Sequence, residues 1–179
     1  MGKMSKTKGN SFERKIAKRL TKWAVDSDLD VEFNRVPGSG SLRWHEQYKN
    51  VIGDITCSDD TFKNTIECKN REDWKHKQFI EIGEPCKSGL YSWWEQSCDE
   101  AQRADKWPWL ILKKNHCKEL LIFSSLETLI FETIDYDKMV MGWLPTFKDF
   151  GWNSVGIVLL ETFLEALDPG LFIRSKDNE

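Results

Sequence analysis

Two acids and a lysine dominate any chemical reading of this chain. Asp54 follows Gly53, and after twelve intervening residues comes Glu67-Cys68-Lys69. Both pieces fall in short apolar stretches that read as β-strands. Side chains alternate along a strand, so Glu67 and Lys69 share one face while Ile66 and Cys68 take the other. An acid and a lysine on one face of an apolar strand are poor core material. They gain a purpose if a hard divalent cation sits between Asp54 and Glu67 with the ammonium beside it. Such a cation takes oxygen ligands, acidifies a bound water and polarises a phosphate. The chemistry this pattern suits is phosphodiester hydrolysis. Glu-x-Lys alone is also an ordinary pair on the wet face of a sheet; the acid behind a glycine on a neighbouring apolar strand is what lifts it above that.

The expectation is geometric. If the two strands pair antiparallel with Asp54 opposite Glu67 or Lys69, the facing Cβ atoms lie roughly 4.5–5.5 Å apart. A slip of one residue would send Asp54 to the other face. Two carboxylates this close repel, so one should have a raised pKa in the absence of metal. Magnesium, with manganese as a substitute, suits a site of a few carboxylates, waters and substrate phosphate. Two roles are open to Lys69: orienting the attacking water, or stabilising charge in the transition state. A nearby metal would lower its pKa.

The elements that must position these residues follow from periodicity. Residues 1–8 read as a flexible basic tail. A helix is expected from about Asn10, with Phe12, Ile16, Leu20 and Trp23 on its apolar stripe. Strands are expected over 31–36, 51–57 and 65–69, a polar irregular stretch over 70–88, a helix over 90–104, and strands over 109–113 and 119–123. Beyond Ser124 the pattern suggests a short helix over 125–130, strands over 139–143 and 155–161, and a helix over 162–167 stopped by Pro169-Gly170. The fold class is therefore α/β: one mixed, mostly antiparallel central sheet flanked by helices, with the N-terminal helix first. All 179 residues form one domain, with a core over 9–123 and an extension of that domain over 124–179.

The net charge is −3, yet residues 1–22 carry eight basic side chains and one acid. Lys8, Arg14, Lys15 and Lys18 belong to that segment, which reads either as a polyanion-binding face or as a solvated helix face. The five cysteines lack zinc-site spacing and fit reduced thiols in a cytoplasmic protein. No signal peptide is evident, and the longest apolar run, 155–160, is far too short to span a bilayer.

Four ordered blocks carry a resemblance. Lys8-Gly9-Asn10-Ser11-Phe12-Glu13-Arg14, Arg35-Val36-Pro37-Gly38-Ser39-Gly40-Ser41, Gly53-Asp54-Ile55 and Ile66-Glu67-Cys68-Lys69 resemble the signature of archaeal-type Holliday junction resolvases, including phage members, within the PD-(D/E)XK nuclease superfamily. The likeness covers about the first 70 residues well. It implies a restriction-endonuclease-like fold. Asp54 and Glu67 would be the principal metal ligands, joined by Glu13 and the Cys68 carbonyl, and Lys69 would be the catalytic lysine. Ser39 would lie near the scissile phosphate. Arg14 and Arg35 would contact the DNA backbone, alongside Lys8, Lys15, Lys18 and Ser41. The protein would act as a homodimer on four-way junctions. Glycine stands before the first motif acid where proline is common, and residues 124–179 have no placed counterpart. Glu13, three residues after Asn10, could instead close a capping box.

Nine tryptophans are a high load. Trp93, Trp94, Trp107 and Trp109 read as core or dimer contacts, or as stacking surfaces for unpaired bases. The resemblance allows Gln96 to reach the site, and Trp44, His45 and Tyr48 sit in the loop before Asp54. The expected activity is a magnesium-dependent endodeoxyribonuclease cutting branched DNA. The alternatives are a nuclease of the same superfamily acting on duplex or nicked DNA, and a non-catalytic DNA-binding module of the same fold.

Overall fold

The computed structural model describes residues 2–36, 52–79, 89–146, 148 and 151–173, with residues 2–7 described in backbone only. Seven strands form one sheet in the order β1-β2-β3-β4-β5-β7-β6: β1 Phe33–Arg35, β2 Ile55–Cys57, β3 Asn64–Asn70, β4 Trp107–Lys113, β5 Leu120–Ser124, β6 Met139–Trp143 and β7 Ser154–Leu159. The helices are α1 Gly2–Asp26, α2 Leu90–Ala104, α3 Thr128–Thr133 and α4 Leu160–Ala166. Only β3 and β4 are parallel; the other pairs are antiparallel. A parallel pair needs a crossover, and α2 supplies it. This is the expected mixed α/β sheet with the N-terminal helix first, the restriction-endonuclease-like arrangement.

Alternation along the central strands sorts two cores. In β4, Trp109 and Ile111 join Ile66 and Cys68 of β3 against Phe12, Ile16, Leu20 and Trp23 of α1. Leu110 and Leu112 face the other way, onto Leu90, Trp94 and Cys98 of α2. A strand buried on both faces loses hydrophobic alternation and reads as a continuous apolar run, as 109–112 does. Glu67 lies on the α2 side of β3, where it meets Gln96 of that helix.

The C-terminal segment is woven into this sheet. β7 lies between β5 and the edge strand β6. Phe163 and Phe172 stack around Trp109, with ring centroids 5.0 and 4.9 Å away, and Trp23 Nε1 donates to Leu167 O at 2.8 Å. The last segment therefore clamps the helix that carries Glu13.

Several boundaries differ from expectation. α1 starts at Gly2, so residues 2–8 are helical and Asn10 lies inside the helix. The capping-box reading of Glu13 fails because there is no helix start at Asn10 to cap. β2 is shorter than expected and begins after Asp54. The helix expected at 125–130 lies at Thr128–Thr133, and Glu161, expected at a strand end, lies in α4.

Candidate active site

β3 sets the frame. Ile55 of β2 pairs with Ile66, and the Asp54 N–H donates to Ile66 O at 2.8 Å. The Asp54 carboxylate then hooks over the strand, its Oδ2 accepting the Cys68 N–H at 3.0 Å. Gly53 makes this approach feasible. Its φ is +93°, and a Cβ there would stand 2.8 Å from Ile66 O. Glycine is the residue that tolerates both the positive φ and the close backbone. The glycine before the motif acid thus has its own structural reason.

Glu67 is 2% exposed. It is ion-paired with Lys69 and accepts from Gln96 Nε2 at 2.7 Å. Burial first, then the Asp54 charge, push Glu67 up to about 8 against the pull of Lys69. Burial pulls the Lys69 ammonium down, but the charges of Glu67, Asp54 and Glu100 outweigh it, and its pKa is raised. The lysine is held as a cation.

Glu13 reaches the same place from α1. It is ion-paired with Arg35, whose Nη2 also donates to Asn10 Oδ1 at 2.9 Å. Burial raises the Glu13 pKa, and the Asp54 charge adds to the rise while Arg35 opposes it. Arg35 is thus turned towards Glu13 and Asn10. The Cys68 thiol lies in the core on the α1 side, and burial with the nearby carboxylates drives its pKa well up; it stays a neutral thiol.

α2 contributes two residues to this centre. Gln96 bridges Glu67 to Glu100, donating to Glu100 Oε1 at 3.1 Å, and Lys69 Nζ lies 3.4 Å from its Oε1. Glu100 is an acid the sequence reading missed. The available signal was its i+4 spacing from Gln96, which sets both on one helix face.

The donor set suits a hard cation. Glu13, Asp54, Glu67 and Glu100 offer carboxylate oxygens against two cations, Lys69 and Arg35, and burial, reinforced by the Asp54 charge, raises the pKa values of Glu13 and Glu67. As the side chains stand, however, no three acidic, histidine or cysteine residues among the described ones converge as a metal-holding group. Glu67 and Glu13 are engaged with Lys69 and Arg35, and Asp54 with the Cys68 amide.

Other expected residues sit elsewhere. Lys15 and Arg19 pair with Glu119 at 2.7 and 3.3 Å, and Lys113 joins them at 2.9 Å. Burial opposes the Glu119 charge, but hydrogen bonds from Lys15 and Lys113 prevail and hold it at about 2. Lys8 pairs with Glu72 at 3.3 Å. Arg14 and Lys18 are exposed on α1. Ser39, Ser41, Trp44, His45 and Tyr48 lie outside the described residues. Trp94 and Trp109 are core residues, 0% and 1% exposed, and so do not offer stacking surfaces. Cys57, Cys68, Cys98 and Cys117 are free thiols.

The family described as "Phage putative PDDEXK endonuclease" matches residues 4–170. The chain belongs to this PDDEXK family. Membership makes it a nuclease-family protein with DNA as the implied substrate, and nucleases of the superfamily generally use divalent metal ions. The match runs well past residue 123, so the segment left without a counterpart is part of the family's own pattern. No curated protein and no solved structure matches the chain. No helix among the described residues is long and apolar enough to cross a membrane.

Proposed function

We propose that this chain is a magnesium-dependent endodeoxyribonuclease that cuts branched DNA, four-way junctions foremost, and works as a homodimer. Glu67 carries the nuclease reading: a buried carboxyl with a raised pKa, beside Asp54 and Lys69, in a chain of a PDDEXK family. Structure selectivity is supported by the four ordered sequence blocks and their likeness to junction resolvases. The homodimer is supported by edge strand β6, where Val140, Met141 and Trp143 are exposed.

A bound divalent cation supplies Lewis-acid polarisation of the phosphate and an acidified water, and Asp54, Glu67 and Glu13 are the oxygen donors that would hold it. Gln96 orients Glu67 by its hydrogen bond. Lys69, beside Glu67, is placed to contribute positive charge to the phosphate oxygens. Arg35 restrains Glu13 until substrate and ion arrive.

The test is a panel of labelled four-way, forked, nicked and linear DNAs, each with magnesium and with calcium. Paired symmetric nicks confined to the junction are the expected result. Cutting of linear or nicked duplex would favour the broader nuclease alternative, and binding without cutting under any ion would favour a non-catalytic module. Glu67→Gln should keep DNA binding and reduce cutting by about a hundredfold or more. Wild-type cutting by that variant would overturn the site.

A further inference from the structure

The basic face of α1 is partly engaged within the fold: Lys15 and Arg19 share Glu119 with Lys113, and Lys22 pairs with Asp26 at 2.7 Å. A different basic surface gathers at the carboxyl ends of β3 and β4. Arg71 continues β3, its N–H donating to Lys113 O at 3.0 Å. The alternation that placed Glu67 and Lys69 on the α2 side carries on to Arg71. There the guanidinium lies over the Trp93 ring, 5.9 Å from its centroid. Trp93 is one helical turn before Gln96, the residue that touches Lys69. Its ring is only partly buried, whereas Trp94 is wholly buried.

The rest of the surface forms around Trp74. Lys114 Nζ lies 5.8 Å from that ring's centroid and donates to Trp74 O at 3.1 Å. Lys8 arrives from α1 and donates to Asn115 Oδ1 at 3.1 Å. Arg71, Lys114 and Lys8 gather here with two acids, Glu72 and Asp73, which pair with Lys8 and Arg71. Asp73 takes two of the five donors of Arg71 and holds it in place.

Resting on the nuclease reading, we propose that this collar is the subsite for the DNA strand flanking the cut. Arg71 and Lys114 take backbone phosphates, and the Trp93 ring offers a stacking face to an unpaired base. A partly exposed ring beside cations suits a single strand, because every base has a π-face; Trp74 is buried beneath Lys114 and offers no such face. Two residues of strand separate Lys69 from Arg71, about 7 Å. That is on the order of two nucleotides of backbone rise, so the collar meets the strand just beyond the scissile phosphate.

Binding separates this proposal from the nuclease reading. Fluorescence anisotropy with labelled four-way junction and with a single-stranded oligonucleotide would be recorded across a salt series, in a Glu67→Gln background. Adding Arg71→Ala and Lys114→Ala should weaken binding about tenfold or more and lower the salt slope by about two. Arg14→Ala with Lys18→Ala should do less. Trp93→Leu should weaken the single strand more than linear duplex. Thermal midpoints of the exposed-charge variants should match the parent, excluding misfolding as the cause. If the parent binds DNA and the collar variants bind it with unchanged affinity and slope, the collar is wrong while the nuclease reading stands. If the parent does not bind DNA and the wild type does not cut it, both fall.

Discussion

Gly53→Ala tests the link between backbone geometry and the acid pair. At φ +93° a side chain is strained whatever the space around it, and a non-glycine residue there costs about 1–3 kcal/mol. The new Cβ would also lie 2.8 Å from Ile66 O and 3.2 Å from Ile66 N. These are backbone atoms of a central strand, which cannot rotate away as a side-chain end would. Crowding of this kind adds roughly 1–3 kcal/mol. A total of about 2–6 kcal/mol should lower the melting midpoint by roughly 4–24 °C in a chain of this size. If β2 instead peels from β3 to relieve the clash, Asp54 loses its bond to the Cys68 amide and cutting falls. Gly151→Ala is the control, since its φ is +70° but nothing lies within 4 Å of the added Cβ; the difference between the variants isolates the steric part. Circular dichroism melting and a cleavage assay measure both effects. A Gly53→Ala protein that melts and cuts like the wild type would refute this account of the glycine.

Two further outcomes concern the core on the α1 side of the sheet. Glu127 is a buried carboxyl receiving hydrogen bonds from Asn64 Nδ2 at 2.8 Å and Trp109 Nε1 at 3.1 Å, and burial pushes it up to about 7. A folded-state pKa above the unfolded value means that its stabilising effect is complete below about pH 4.5 and is lost as pH rises towards 7, on the order of 3 kcal/mol. Glu127→Gln should therefore flatten the stability profile between those limits in urea titrations; an unchanged slope would contradict the assignment. Gly156 packs under Phe123, whose Cζ would lie 2.3 Å from an added Cβ. Gly156→Ala should destabilise by roughly 1–3 kcal/mol, and Phe123→Leu in the same chain should recover part of the lost melting temperature.

Local pattern carried much of the architecture. Period-two alternation marked β3 and the shared face of Glu67 and Lys69, and helical periodicity with the Trp107-Pro108 stop bounded α2 at Leu90–Ala104. The start of α1 escaped because the polar residues before Asn10 carry no apolar stripe, while a helix already propagating adds turns at little further cost. The shortened β2 escaped because Gly53 leaves extended geometry there, which a propensity argument does not register.

What the chain determined by itself was therefore chemical and periodic: which acids and which lysine were available, and which strand face two of them share. Tertiary structure decided their company. Gln96 and Glu100 meet Glu67 because α2 crosses back over β3, and Arg35 faces Glu13 because β1 lies beside α1. Lys15 and Arg19 share Glu119, about a hundred positions along the chain, while a collar of cations assembles at the ends of β3 and β4. Coulombic and desolvation effects depend on distance in space and on burial. Neither is a property of sequence separation, so the charge balance of the site emerges only once the sheet has closed.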